Sequence, residues 1–157
     1  MIRDATVDDV PVIVSLVREL ARYEREPDAV TATEDDYRQA LFGPEPKAWC
    51  LLAEDDTGEV VGFAVYFVNF STWLGRHGLY LEDLFVRPAT RGQGHGRAML
   101  AALARIAVDR GYRRVDWWVL DWNETAHRFY RGIGAEAMDD WTVWRLTGDS
   151  LTALAGT

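Results

Sequence analysis

The stretch that most constrains this chain is Leu84 to Gly96, LFVRPATRGQGHG, where an apolar strand runs into a turn crowded with glycine. Leu79-Tyr80-Leu81 and Leu84-Phe85-Val86 read as a buried strand that Pro88 stops, and Arg97 to Arg110 carries apolar residues at helical spacing. Gly92, Gly94 and Gly96 therefore fall at the helix entry, where the first backbone N–H groups lack partners of their own. Without a Cβ in the way, those donors can turn toward one point, and such a nest at the positive end of a helix suits phosphate. A glycine-rich turn made for tight packing is the competing reading.

Spacing separates the phosphate ligands. No Gly-Lys pair exists, so a P-loop is excluded; Gly92-x-Gly94-x-x is followed by Arg97, so the dinucleotide fingerprint fails too. What remains is Arg91-x-x-Gly94-x-Gly96. It resembles the [R/Q]-x-x-G-x-[G/A] loop with which GCN5-related N-acetyltransferases cradle the pyrophosphate of acetyl-coenzyme A. Downstream, the run from Val119 to Ala135, VLDWNETAHRFYRGIGA, resembles the second signature of that superfamily: a strand, an Asn opening a helix, a Phe-Tyr pair and a Gly-Ala exit.

The remaining elements fit one α/β (α+β) domain over residues 1–157. Ile2 to Ala5 reads as an edge strand, and Thr6 with Asp9 resembles a capping box before a helix buried through Ile13, Leu16, Val17, Leu20 and Ala21. That helix ends at or before Pro27, and a second spans Thr33 to Leu41 with Thr33 as its cap. Ala48–Ala53 and Val60–Val68 flank a hairpin turn; the second is apolar enough to be a central strand. Asn69 to Gly78 reads as a loop. Met99, Leu100, Leu103, Ile106 and Ala107 form the core stripe of the helix after the glycine turn, and Gly111 ends it. A strand at Arg114–Leu120, a helix at Asn123–Arg131 and a final strand at Trp141–Leu146 complete the order. The resemblance implies a mixed central sheet of about six to seven strands flanked by helices and splayed where the cofactor enters.

Composition narrows the partners. The net charge of −8, from 17 basic and 25 acidic residues, argues against nucleic acid and permits a cationic substrate, though acidity alone also keeps a protein in solution. No apolar run approaches the roughly 20 residues of a membrane helix. Nothing near Met1 reads as a signal peptide and Cys50 is the only cysteine, so a cytoplasmic protein without disulfides is expected. Cys50 reads as core filling. His77, His95 and His127 lack ligand spacing, so no metal site is expected, and His95 is expected at the surface. Most of the seven tryptophans read as core or interface residues.

The resemblance also implies roles. Backbone N–H groups within Leu84-Phe85-Val86, exposed by a strand bulge, would face the pantetheine and the thioester oxygen. Arg91, Gly92, Gln93, Gly94, His95, Gly96 and Arg97 would hold the diphosphate, with Asn123, Ala126 and Tyr130 completing the cofactor contacts. Tyr130 would be the general acid: a phenol near pKa 10 gives its proton downhill to a thiolate near 8.5. From the residues alone, Phe129 and Tyr130 read first as core aromatics, packed with Ala126 and Ile133. Glu82 would bind the ammonium and accept its proton through water; an inward carboxylate paired with an arginine is the alternative. Neighbours on a strand face opposite ways, so only one of Glu82 and Asp83 should reach the amine unless a bulge intervenes.

Over almost its full length the chain looks like the diamine and thialysine acetyltransferase branch. The likeness rests on Arg18 to Glu24, Ser71 to Arg76, Tyr80 to Asp83, Arg91 to Gly96 and Asp121 to Glu124. It implies an amine pocket of Tyr23, Glu24, Glu82 and Asp83 with Trp73 and Trp141 as aromatic walls, and a homodimer. Polyamine-acting members carry an acid where this chain has Ser71, which favours a shorter amine such as a lysine analogue over spermidine or spermine. Two other readings stay open: a protein lysine or N-terminal acetyltransferase, which needs an open peptide groove, and a non-catalytic coenzyme-A-binding module.

Overall fold

A computed structural model describes residues 1–156. The chain forms two compact units, one from Met1 to Trp118 and a second from Val119 onward.

The first unit is built on a five-stranded sheet in sequential order: β1 (Ile2–Asp4), β2 (Ala48–Glu54), β3 (Val60–Ser71), β4 (Arg76–Val86) and β5 (Val115–Trp117). The first four strands pair antiparallel and β5 lies parallel to β4. Parallel pairing requires a crossover, which α3 (His95–Asp109) supplies. One face of the sheet is covered by α1 (Val10–Tyr23) and α2 (Glu34–Phe42). Ile13, Leu16 and Leu20 of α1 and Leu41 of α2 pack there on Cys50, Leu52, Phe63 and Phe85. Buried Met99, Leu103 and Ala107 of α3 make the apolar stripe that its spacing predicts.

Capping fixes where the helices start. Thr33 Oγ1 accepts the Asp36 N–H at 3.2 Å and the Asp36 carboxylate accepts the Thr33 N–H at 2.7 Å, a reciprocal box at the head of α2. Asp9 accepts from the Thr6 N–H at 2.8 Å, and its carboxylate also takes both terminal nitrogens of Arg3 at 2.8 Å. That guanidinium holds the Asp9 carboxyl well below the usual carboxylate range.

The sheet departs from the expected six to seven strands at its far end. Pairing between β4 and β5 covers only Leu79↔Val115, Tyr80↔Asp116 and Leu81↔Trp117. Trp141 to Leu146 has strand-forming side chains but no ladder partner among the described residues, and a strand exists only through pairing. The expected loop from Asn69 to Gly78 is instead a hairpin: β3 runs on to Ser71, β4 starts at Arg76, and Ser71 pairs with Arg76. In the second unit, α4 (Glu124–Gly132) is capped by Asn123, whose side-chain oxygen accepts the Ala126 N–H at 3.2 Å. A further helix, α5 (Gly148–Ala155), lacks a side-chain cap bond and any buried residue, so its sequence carries no clear helical mark.

Candidate active site

The pairing of β3 with β4 slips at one point. Val65 stands opposite Asp83 and Tyr66 opposite Leu81, which leaves Glu82 as an extra residue, a β-bulge on β4. It lies two residues before the Leu84–Val86 segment where the resemblance would put it, and Leu84 to Val86 keep regular partners in Ala64 to Gly62. The bulge breaks the alternation. Asp83 joins the face of Val65, Phe63 and Phe85, under α1 and α2, whereas buried Leu81 shares the opposite face with Tyr66.

That slip gathers carboxylates. Burial pushes the half-buried Asp83 carboxyl up to about 7, and the negative charges of Glu82 and Glu24 add to it. Glu24, capping the C-terminus of α1, is raised by burial as well. Arg25, the next residue, adopts a left-handed φ of 67° as the chain turns out of the helix. Its N–H donates to Arg22 O at 3.1 Å and the Glu26 N–H to Ala21 O at 2.9 Å, which fixes the turn that carries Glu24. Tyr37 on α2 was not a sequence candidate. It packs against the same core, and burial together with the Asp83 charge raises its phenol. The i, i+4 pair it makes with Leu41 on the apolar face of α2 was the available signal.

Beyond Leu81, residues 82–86 of β4 have no strand partner on the β5 side among the described residues, so the β5 ladder stops beside the acidic group, and the Val86 carbonyl there accepts from Arg91 Nε at 3.0 Å. β4 then delivers the chain into the glycine loop. Arg87 anchors the exit: its Nη2 donates to Glu19 Oε1 of α1 at 3.0 Å, and its Nη1 to Glu59 Oε1 and to the Val60 carbonyl, each at 3.0 Å. Gly92 and Gly94 hold φ of 81° and 87°, a left-handed region that glycine enters without strain. The first intrahelical bond of α3 runs from Ala98 N–H to Gly94 O at 2.9 Å. The N–H groups of His95, Gly96 and Arg97 precede it and lie at the positive end of a fifteen-residue helix. A Cβ built on Gly92 or Gly94 would meet nothing within 4 Å, so the space over the loop is open to a ligand. These amides, at the head of α3, fit the diphosphate of a coenzyme. His95, expected at the surface, is half-buried with its Nε2 shielded from solvent.

Trp73 and Ser71 lie away from the acidic group within the first unit. Trp73 sits at the β3–β4 hairpin tip and is 88% exposed; with Arg76 six residues before Glu82, the strand rise puts it roughly 20 Å from the acidic group. Ser71, beside it, is buried and its Oγ accepts the Leu74 N–H at 3.2 Å, so it serves the turn. Asn123, Ala126, Tyr130 and Trp141 belong to the second unit. There Tyr130 is half-buried with its ring 5.3 Å from that of Phe129, and Trp141 is 68% exposed. The tryptophans correct the core reading: Trp73, Trp118, Trp122, Trp141 and Trp144 are all exposed. Cys50 is buried as expected, its thiol pushed up to about 12 by burial. No group of three or more His, Cys, Asp or Glu among the described residues could hold a metal, and no described helix is long and apolar enough to cross a membrane.

Comparison with known proteins places a family over most of the chain. The profile described as the Acetyltransferase (GNAT) family matches residues 13–135. A thialysine N-epsilon-acetyltransferase of Bos taurus is 39% identical over 99% of this chain and 97% of its own length. The L-ornithine N5-acetyltransferase NATA1 of Arabidopsis thaliana is 32% identical over 98% of this chain and 86% of its own. Among solved structures, the integron cassette protein VCH_CASS6 from the mobile metagenome of V. cholerae superposes with a TM-score of 0.82 at 30% identity, covering 100% of this chain and 98% of that one.

Proposed function

The chain belongs to the acetyltransferase (GNAT) family, and from that premise we propose that it moves acetyl from acetyl-coenzyme A to a primary amine of a small molecule. The substrate class is a short diamine or a lysine-type amino acid such as thialysine or ornithine, as in its relatives. The observation that carries the reading is the bulge at Glu82, which puts Asp83 in one acidic group with Glu24 on the part of β4 that β5 does not pair and that runs into the glycine loop.

Acetyl-coenzyme A supplies the thioester: the amine nitrogen attacks its carbonyl carbon, a C–N bond forms as the C–S bond breaks, and coenzyme A leaves as thiolate. The chain's residues manage position and protons. Amides of residues 92–97, with Arg91, hold the diphosphate, and those of Leu84 to Val86 receive the pantetheine and the carbonyl oxygen. Glu24, Glu82 and Asp83 draw in the ammonium, with Tyr23 as an aromatic wall; Trp141, which the resemblance adds, is assigned with them, whereas Trp73 stands too far along the hairpin of its own chain to join the group. The ammonium proton passes through water to the Glu82–Asp83 pair. A carboxylate held near 7 is a far better acceptor than one near 4, which supports Asp83 as its site. Tyr130 returns a proton to the thiolate, so one amine proton is released overall.

The family match crosses both compact units, which supports one acetyltransferase domain over residues 1–157. A cytoplasmic homodimer completes the reading, supported by a lone buried cysteine and by exposed Phe70, Trp73 and Leu74 at the hairpin tip. The test is thiol release from acetyl-coenzyme A over a panel of thialysine, ornithine, lysine, short diamines, spermidine and spermine. Release with the short amines and little with spermine is expected; coenzyme A binding with no release on any amine would leave only a binding module.

A further inference from the structure

Arg91 opens the glycine loop, yet its side chain turns away from it. The guanidinium carbon stands 4.6 Å from the centroid of the Tyr23 ring and 5.8 Å from that of Phe85, and Nε donates to the Val86 carbonyl at 3.0 Å. Tyr23 is the last residue of α1, next to Glu24, and packs with Phe85 and Val65 on the Asp83 face of the sheet. A cation of the protein therefore covers an aromatic ring at the acidic group that would take the substrate's cation. One ring face holds one cation at a time.

We propose that Arg91 is a stand-in cation: without the donor it covers the Tyr23 face an ammonium would use, and the diphosphate draws it off, so donor binding opens the amine pocket. The inference rests on the amine-acetyltransferase reading. The residues that would bind the diphosphate, Gly92 to Arg97, directly follow Arg91, whose long exposed side chain reaches either side. A guanidinium gains more from charge-assisted bonds to phosphate than from an aromatic face, so the bound donor wins the competition. Linkage makes the effect reciprocal: an amine on Tyr23 frees Arg91 for the donor.

Two measurements test this. The first needs no amine: in NMR spectra of the whole protein, the Arg91 side-chain resonances should carry the ring-current shift of Tyr23 and lose it on saturation with coenzyme A. Resonances that keep that shift, or never show it, overturn the proposal. The second is titration calorimetry with thialysine, with and without saturating coenzyme A. The wild type should bind thialysine about tenfold tighter with coenzyme A present. Arg91→Gln should bind it without coenzyme A as tightly as the donor-loaded wild type does, and its ratio should fall to about one, whereas Tyr23→Phe, which keeps the ring, should keep the wild-type ratio. An Arg91→Gln variant with the wild-type ratio refutes the stand-in role. Absence of acetyl transfer to every amine would instead sink the functional reading and leave the spectroscopic result standing.

Discussion

Asp83 and Leu81, separated by one residue on β4, face opposite sides of the sheet: Asp83 pairs with Val65 under α1 and α2, and Leu81 pairs with Tyr66 on the other face. In a regular strand they would share a face. Glu82, the extra residue between them, is therefore what turns a carboxylate toward Glu24. A buried acid that the fold must hold beside other acids is costly once ionised, and that cost can be measured.

Asp83 titrates near 7 in the folded chain against roughly 3.9 unfolded, so the native state holds more protons between those values and stability falls as pH rises through them. At pH 8 the native carboxylate is ionised and its burial counts fully against the fold; below about pH 4 the difference vanishes. Asp83→Asn should therefore be more stable than the wild type at pH 8 by about 1–3 kcal/mol, discounted for partial exposure, and close to it at pH 4. Thermal melts of both proteins across that range check this. A wild type whose advantage grows with pH would contradict the burial of the acid.

Much of this architecture was legible in the chain. The 3.6-residue stripe of Ile13, Leu16 and Leu20, the Thr33 cap and the glycine spacing before α3 are local signals, and local signals survive folding. The bulge was not legible, because YLEDLF reads as unbroken strand and only the register against Val65 and Tyr66 reveals the extra residue. Trp73 misled for a related reason: its distance from Glu82 depends on how far the hairpin extends, which no nearby residue encodes. Trp141 to Leu146 shows the limit of propensity, since aromatic and β-branched residues make a strand only where an edge receives them.

Arg87 and Glu19 join the exit of β4 to α1, with both side chains about a quarter exposed. Their paired geometry, Nη2 to Oε1 at 3.0 Å and Nε to Oε2 at 3.1 Å, predicts a coupling of about 1 kcal/mol, above the usual surface pair. A double-mutant cycle of Arg87→Met and Glu19→Gln, read by urea denaturation, measures it. Because Arg87 also bonds the Val60 carbonyl, Arg87→Met alone should cost more than Glu19→Gln alone.

Tyr130→Phe removes a hydroxyl and little else. If the phenol protonates the leaving thiolate, turnover should fall by about 10²–10⁴ while the affinity for coenzyme A stays nearly unchanged. The acid limb of kcat/KM, set by Asp83, should keep its position in this variant and move in Asp83→Asn. Steady-state kinetics between pH 5 and 9 with a calorimetric Kd for coenzyme A separate the two groups. A variant within twofold of the wild type would remove Tyr130 from proton transfer.

Gly94 offers the cleanest test of the loop. Its φ of 87° is strained for any residue with a Cβ, yet a Cβ placed there touches nothing within 4 Å, so Gly94→Ala changes conformational preference without a clash. The left-handed penalty should lower stability by about 1 kcal/mol. Relief of that strain by rotating the backbone would swing the His95 and Gly96 N–H groups off their common target, and donor affinity should drop by about tenfold or more. Equilibrium binding of coenzyme A to both proteins, beside their denaturation curves, measures the two effects. Desulfo- or dephospho-coenzyme A, which keep the diphosphate, should suffer the same loss, whereas pantetheine, which lacks it, should bind both proteins alike. An alanine variant that bound coenzyme A as tightly as the wild type would show that the loop amides do not hold the donor.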